Sequence, residues 1–513
     1  MSFMKRPNIV IVMTDQQRAD LRAARGYALD TMPFLDRWAS GGVDFANAYT
    51  PNPTCMPARV SMFTGRYPSC HQVRTNHNAA DALYREDLLD VLRNAGYRTA
   101  LCGKNHSHRD PAAFDFHECT GHMGNEGEVN QTQAEKDFAQ FLCDTRHLET
   151  HRPSPGGAEV QHPYRNVSSA LKFIDQTPAE QPFFAWVSFA EPHNPYQVPE
   201  PYFNMFPPET LPPVTAATES LCAKGWRWPW LRAKWEAVLG PDIQRHILRS
   251  RSNYHGMLRL IDDQFRRLIE GLDERGLTEN TLVIFVSDHG DFVGEYGLIR
   301  KGPDLPDLLT RVPMVMRGAG VAARGLLDGA MVGLADILPT ICEWIGEPVP
   351  FGVQGRSLGC LLRGEPCPPG EFDVAYSESG FGGLYWNGQD GLTPQAEGAL
   401  NEMVTFDCLN TWTQCGQVRM VRKGPWKLQE DMMGNAYLYN LDTDPRELTN
   451  LIGEEALLPV RADMQSELCA AVLRAADPLP PPRSRYRVKV HPLGYWRDDA
   501  YISGDPGVRG QER

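Results

Sequence analysis

Three apolar runs in this chain, NIVIVMT, PFFAWVSFA and TLVIFVS, each stop at a carboxylate: Asp15, Glu191 and Asp288. Runs of β-branched and aromatic residues without polar alternation are what a strand needs when both faces of its sheet are covered. Each run therefore predicts a buried strand of a parallel sheet, with polar groups delivered at its carboxyl end. Those ends carry Asp15-Gln16-Gln17, Glu191-Pro192-His193 and Asp288-His289. A fourth strand, RTALCG, ends beside Lys104 and His106. In a doubly wound sheet such ends converge on one crevice, where ligands bind.

Helical patterns lie between the strands. MPFLDRWASGG, REDLLDVLRNAG and GLADILPTICEWIG show apolar spacing with Gly stops, CMPARVSMFTG reads as a short helix starting near Pro57, and the stretch from Asp242 to Gly276 supports one long helix. The fold class is α/β. A length of 513 residues suits about three units, or two if one is a large α/β domain. Near residue 370 the texture turns Gly-rich and polar, and short strands follow at VRMVRKG, WKLQED and AYLYNL, with a helix at Leu458 to Ala475. The expected organisation is a large α/β unit over 1–372, a smaller α+β unit over 373–477, and a tail over 478–513 that packs on another surface or subunit. The stretch with Trp226, Trp228, Trp230 and Trp235 reads as an excursion suited to covering a cleft or a subunit contact.

Charge narrows the partners. Lys and Arg number 51 against 64 Asp and Glu, a formal charge of -13, which disfavours nucleic acid and anionic membranes and points to small molecules. No apolar run reaches the roughly 18 residues of a membrane span. The N-terminal MSFMKRPNIV lacks a cleavage pattern and reads as the entry to the first strand. The twelve cysteines show no Cys-x-x-Cys and no repeated spacing, so core fillers in a reducing, cytoplasmic setting are expected.

The strand ends Asp15-Gln16 and Asp288-His289 offer carboxylate, amide and imidazole donors suited to a divalent cation, although each pair alone also fits a strand-end turn. Cys55, ahead of Pro57 and Arg59, is either a low-pKa nucleophile at a helix start or a small buried residue.

CMPARVSMFTGR matches Cys-x-Pro-x-Arg followed by Ser-x-x-Thr-Gly-Arg, and with NIVIVMTDQQ, GKNH, EPHNPY, FVSDHGD and LYNLDTDPRELTNL in order the chain resembles the sulfatase branch of the alkaline phosphatase superfamily, which includes arylsulfatases and phosphonate monoester hydrolases. The resemblance implies an alkaline-phosphatase-like large mixed sheet flanked by helices, with a smaller C-terminal α+β domain. It implies conversion of Cys55 to formylglycine by a maturation enzyme, and a metal held by Asp15, Gln16, Asp288, His289 and the modified Cys55. Calcium is the usual family metal; the nitrogen ligand and the loss of one carboxylate make manganese its competitor. Arg59 would bond the nucleophile, Lys104 the sulfate, and His106 would help deprotonate the diol. His193 and Lys301 would donate to the leaving oxygen. Asn76 is either an anion contact or a turn-capping amide, while His108, His117, His122 and His151 have no motif and read as surface or structural.

The implied activity is formylglycine-dependent hydrolysis of a sulfuric ester, an arylsulfatase acting on a small anionic ester through a covalent sulfoenzyme intermediate. The alternative is a phosphonate monoester hydrolase or phosphodiesterase with promiscuous sulfatase activity. Gln16, His289 and Asn76 favour the alternative; Lys104 and His106 oppose it. The aromatic tail from Tyr486 to Tyr501 suggests a homodimer or homotetramer.

Overall fold

The computed structural model describes residues 6–126, 131–382, 416–476, 491–498 and 501. Cys408, Cys415 and most of the tail expected to mediate assembly lie outside them. Ten strands form the main sheet: β1 (Asn8–Asp15), β2 (Val43–Tyr49), β3 (Arg98–Gly103), β4 (Phe116–Gly121), β5 (Gly124–Glu126), β6 (Phe183–Pro192), β7 (Thr281–Ser287), β8 (Arg311–Val312), β9 (Met314–Gly318) and β10 (Gly325–Gly333). Their order is β10-β2-β9-β7-β1-β6-β3-β4-β5, with β8 beside β2. The strands β7, β1, β6, β3 and β4 run parallel, whereas β9 is antiparallel to both β7 and β2. The sheet is therefore mixed.

Every residue of β1, β6 and β7 is buried, which explains why their sequences do not alternate. Successive side chains of β1 feed two different cores. Val10 and Val12 face the layer that contains α3 (His162–Asp175) and α5 (Ile243–Glu274), while Ile9, Ile11 and Met13 face the layer of α2 (Cys55–Thr64) and α6 (Ile337–Ile345). The helices α1 (Pro33–Ala39) and α4 (Arg227–Leu239) complete the α5 side. Asp262 of α5 accepts the Phe34 and Leu35 backbone N–H groups at 2.8 Å each, capping α1 from a distant element.

Four antiparallel strands, β11 (Val374–Gly382), β12 (Gly416–Lys423), β13 (Trp426–Asp431) and β14 (Ala436–Asn440), form a second sheet. Met464, Leu468, Ala471 and Ala475 of α7 (Leu458–Ala476) pack on its Val421, Leu428 and Leu438. In the tail, the Trp496 N–H donates to Glu371, and the Arg356 and Arg474 guanidinium groups lie 4.7 and 4.8 Å from its ring.

Some expectations change. Half of the Trp-rich stretch packs within this chain: Trp228 and Trp235 are buried, and Trp228 meets Phe292 and Tyr296 edge-on and donates to Asp304, while Trp226 and Trp230 stay half-buried. Cys360, in the core, and Cys367, packed against it, are joined as a disulfide with Cα atoms 5.6 Å apart, since Gly364 turns the chain back between them. Cys143, Cys222 and Cys469 are exposed. The strand β2 has no clean apolar pattern because Asp44 and Asn47 interrupt it; Asp44 is buried under Arg22 and Arg25. Among the described residues no helix is long and apolar enough to cross a membrane.

Burial pushes the Asp262 carboxyl up from 3.8 to about 6, against the two N–H groups it accepts. A carboxyl raised by folding adds stability that is full below pH 4 and is lost as pH rises through 6, worth about 3 kcal/mol at about 1.4 kcal/mol per unit. Asp262→Asn is expected to remove this component. Denaturation profiles of the two proteins should converge or cross between pH 4 and 7, and parallel profiles would reject the assignment.

Candidate active site

Parallel strand ends set the site. Asp15 closes β1, Asp288 and His289 follow β7, and Cys55 is the first residue of α2. The ligand atoms of these four buried residues lie within 4.8 Å of one another. Cys55 Sγ is 3.2 Å from His289 Nε2 and 3.6 Å from Asp15 Oδ1. His289 Nδ1 is 2.9 Å from the Gly290 carbonyl, which can only accept, so Nδ1 carries a hydrogen and Nε2 is the atom turned to the cluster.

Gln16 stands beside them at φ 70°, a left-handed conformation that non-glycine residues rarely take. Its N–H donates to Asp288 Oδ1 at 3.0 Å and its Nε2 to Asp291 Oδ2 at 2.5 Å. Asp291 also accepts from the Tyr196 hydroxyl at 2.7 Å, so the second acid of the SDHGD segment orients the amide.

Arg59, one turn after Cys55, ties the strand ends together. It donates from Nε to Asp288 at 2.9 Å, from Nη2 to Asp15 at 3.2 Å, and from Nη1 to Ser188 Oγ at 2.7 Å and the Lys104 carbonyl at 3.2 Å. Lys104 Nζ contacts Asp15 and donates to His122 Nε2 at 2.7 Å. Lys104 is aimed by Gly103, whose φ of 112° and 2.0 Å approach of a virtual Cβ to the Ser188 carbonyl exclude any side chain. Lys301 is buried, with Nζ 3.4 Å from Cys55 Sγ and 3.4 Å from His193 Nε2. Its loop is held from beneath by α4, where Trp228 packs on Phe292 and Trp235 lies 4.8 Å under the Arg300 guanidinium.

The structure thus gathers Asp15, Gln16, Cys55, Arg59, Lys104, His193, Asp288, His289 and Lys301. His106 stands a ring further out, edge-on to His122 with centroids 6.2 Å apart. Asn76 Oδ1 accepts the Met56 N–H at 3.0 Å, capping α2. His122, read from the sequence as surface or structural, is half-buried beside the site: it stacks on His193, centroids 3.9 Å apart, and accepts from Lys104. No motif marks it, because it comes from the turn after β4.

Charge balance is tight. Burial and Asp15 push the Cys55 thiol up, but Lys104, Lys301 and His289 outweigh them and bring it from 9.0 to about 7. Burial likewise opposes ionisation of Asp15, yet Lys104, His193, Arg59 and His289 hold it well below the usual carboxylate range. Asp288 is pushed up by burial and by Asp15. Burial, His193 and Lys104 keep His122 neutral. His289 is disfavoured as a cation by burial but drawn up to about 9 by Asp288 and Cys55, so a proton sits where a metal would compete for Nε2. The residues fit a divalent cation: two carboxylates and an imidazole converge, and Gln16 Oε1 is a buried acceptor with no hydrogen-bond partner among the described residues.

Fold and cluster together define a hydrolase of the alkaline phosphatase superfamily. The family model described as Sulfatase matches residues 7–347. This chain belongs to the sulfatase family. It is 28% identical over 484 residues to an arylsulfatase of Clostridium perfringens, covering 88% of this chain and 91% of that one. The phosphonate monoester hydrolase of Agrobacterium radiobacter has the same fold, with a TM-score of 0.72 at 24% identity over 92% of this chain and 96% of that one. The expected cytoplasmic location is overturned by relatives such as the extracellular sulfatase SULF-1 homolog of Drosophila melanogaster, 28% identical over 377 residues, 70% of this chain and 31% of that one.

Arg59→Met would leave two buried carboxylates without their shared cation. Breaking a buried charge network in this way costs about 3–5 kcal/mol. Chemical denaturation is expected to show that loss, and a change below about 1 kcal/mol would mean the carboxylates do not depend on Arg59.

Proposed function

We propose that this protein is a formylglycine-dependent sulfuric ester hydrolase, an arylsulfatase that works through a covalent sulfoenzyme intermediate at position 55. One observation carries the reading: Cys55 Sγ lies at the convergence of Asp15, His289 and Lys301, at 3.6, 3.2 and 3.4 Å. A sulfur atom placed so among cation ligands is where a nucleophile is needed, and the similarity to an arylsulfatase over most of the chain supports the same substrate class.

Formylglycine hydrate at this position supplies an oxygen nucleophile and a second hydroxyl. Asp15, Gln16, Asp288 and His289 would hold the divalent cation, which supplies Lewis acidity; the two carboxylates favour Ca2+ and the imidazole makes Mn2+ its competitor. The remaining work belongs to the chain. Lys104 holds the charge of the transferred sulfo group, and Arg59 fixes Asp15 and Asp288 around it. His193 and Lys301 hand a proton to the departing alcohol oxygen as its bond to sulfur breaks. His106, a ring further out, would draw the proton of the second hydroxyl through His122, so that sulfate leaves and the aldehyde returns. His122 lies between His106 and Lys104 and aligns both.

A second reading has its own support. Gln16, oriented by Asp291, replaces a carboxylate beside the cluster and lowers its negative charge, which suits phosphonate monoesters and phosphodiesters with promiscuous sulfatase activity.

Mass spectrometry of the peptide spanning Cys55, from protein made with its maturation enzyme, is expected to show sulfur replaced by oxygen with loss of two hydrogens; an intact thiol in active protein would sink the nucleophile. On metal-defined enzyme, kcat/KM for aryl sulfates should exceed that for phosphonate monoesters. A phosphonate advantage of about tenfold or more, about 1.4 kcal/mol in transition-state binding, would put the second reading first.

A further inference from the structure

Outside the active centre, the described residues contain one other group of metal-ligating side chains: Glu149, His151 and His246, whose ligand atoms lie within 4.8 Å of one another. Glu149 and His151 belong to the loop before α3, and His246 to the first turn of α5. Both imidazoles turn to the same carboxylate oxygen. His151 Nε2 is 3.2 Å from Glu149 Oε1, and His246 Nδ1 contacts that same atom. The rings stand at 88° with centroids 5.4 Å apart, so they do not stack; their nitrogens meet at a point. The Glu149 side chain is 2% exposed, whereas those of His151 and His246 are 39% and 28% exposed, which leaves the group open to water on one side.

Two imidazole nitrogens and one carboxylate oxygen are a poor set for calcium, which takes six to eight oxygen ligands. They match zinc, which binds nitrogen and oxygen in four-coordinate sites and fills an open position with water. We propose that Glu149, His151 and His246 form a second metal site that takes Zn2+ or a similar first-row cation, with water from the adjoining cavity of about 310 Å³ completing its shell.

Such an ion joins a loop to the longest helix at a place that touches the active centre. The Thr150 carbonyl accepts from Asn253 of α5 at 2.9 Å. The His147 carbonyl accepts from Arg300 at 2.5 Å and from Asn194 at 3.2 Å. Arg300 precedes Lys301 and Asn194 follows His193, so the loop that the ion would hold braces the two residues assigned to the leaving group. The ion is a brace and takes no part in the reaction.

The test compares the unaltered chain with His151→Gln and with His151→Gln/His246→Gln, each saturated with Ca2+ and titrated with Zn2+ by calorimetry. The unaltered chain is expected to bind one more Zn2+ than the double variant, and His151→Gln, a change at a half-exposed side chain that the fold tolerates, to bind that ion at least about tenfold more weakly. With Zn2+ at about 100-fold over its Kd, Tm should rise by about 2 °C or more in the unaltered chain and stay level in the double variant. Aryl sulfate turnover in Ca2+ alone should be the same in all three proteins. Equal Zn2+ stoichiometry and affinity across the three would overturn the proposal.

Discussion

A single buried guanidinium holds the active centre together. Arg59 bonds Asp15 at the end of β1, Asp288 after β7, Ser188 within β6 and the carbonyl of Lys104 after β3, so one side chain ties four neighbouring strands. Its planar fork allows this, because it presents donors in set directions and stays charged when buried, which a lysine ammonium does not match. The strands it joins lie next to one another in the sheet order β7-β1-β6-β3. Without that adjacency the four partners would be out of reach of any one residue. The burial of α2 along its whole length holds the guanidinium at this depth.

Packing outside the cluster serves the same end. The Trp228 and Trp235 rings beneath the loop 291–301 give Lys301 a rigid base, so an aromatic cluster far from the chemistry decides where an ammonium group stands. Asp291 does the same for Gln16 through a hydrogen bond, at the cost of a left-handed backbone at residue 16. Both devices transmit fold rigidity to atoms that would otherwise wander in a polar pocket.

Much of this was legible in the sequence, for reasons that differ from residue to residue. Strands buried on both faces announce themselves as unbroken apolar runs, and their terminal acids mark the crevice, so Asp15 and Asp288 could be read directly. Cys55, Arg59, Lys104 and Lys301 were marked by the resemblance of their segments to those of the sulfatase family. His122 could not, because its place beside Lys104 and His193 depends on a turn whose own sequence carries no pattern. The strand β2 hid behind the ion-paired Asp44, where tertiary charge pairing overrides the apolar rule. The partnership of Cys360 and Cys367 is set by a turn at Gly364, and spacing alone does not reveal it.

Cys55 is completely inaccessible to solvent, under a cluster drawn from both ends of the chain's first three hundred residues. Any enzyme that alters its sulfur has to grip several residues around it, and the folded helix α2, buried along its whole length, gives no such grip. If Cys55 is converted as proposed, its alteration would belong to the interval before β7 docks beside β1, while the segment from Cys55 to Arg66 is still an open peptide. On the reading proposed here, the activity of each molecule is decided during its synthesis, and a copy that folds with its thiol intact has missed its only opportunity.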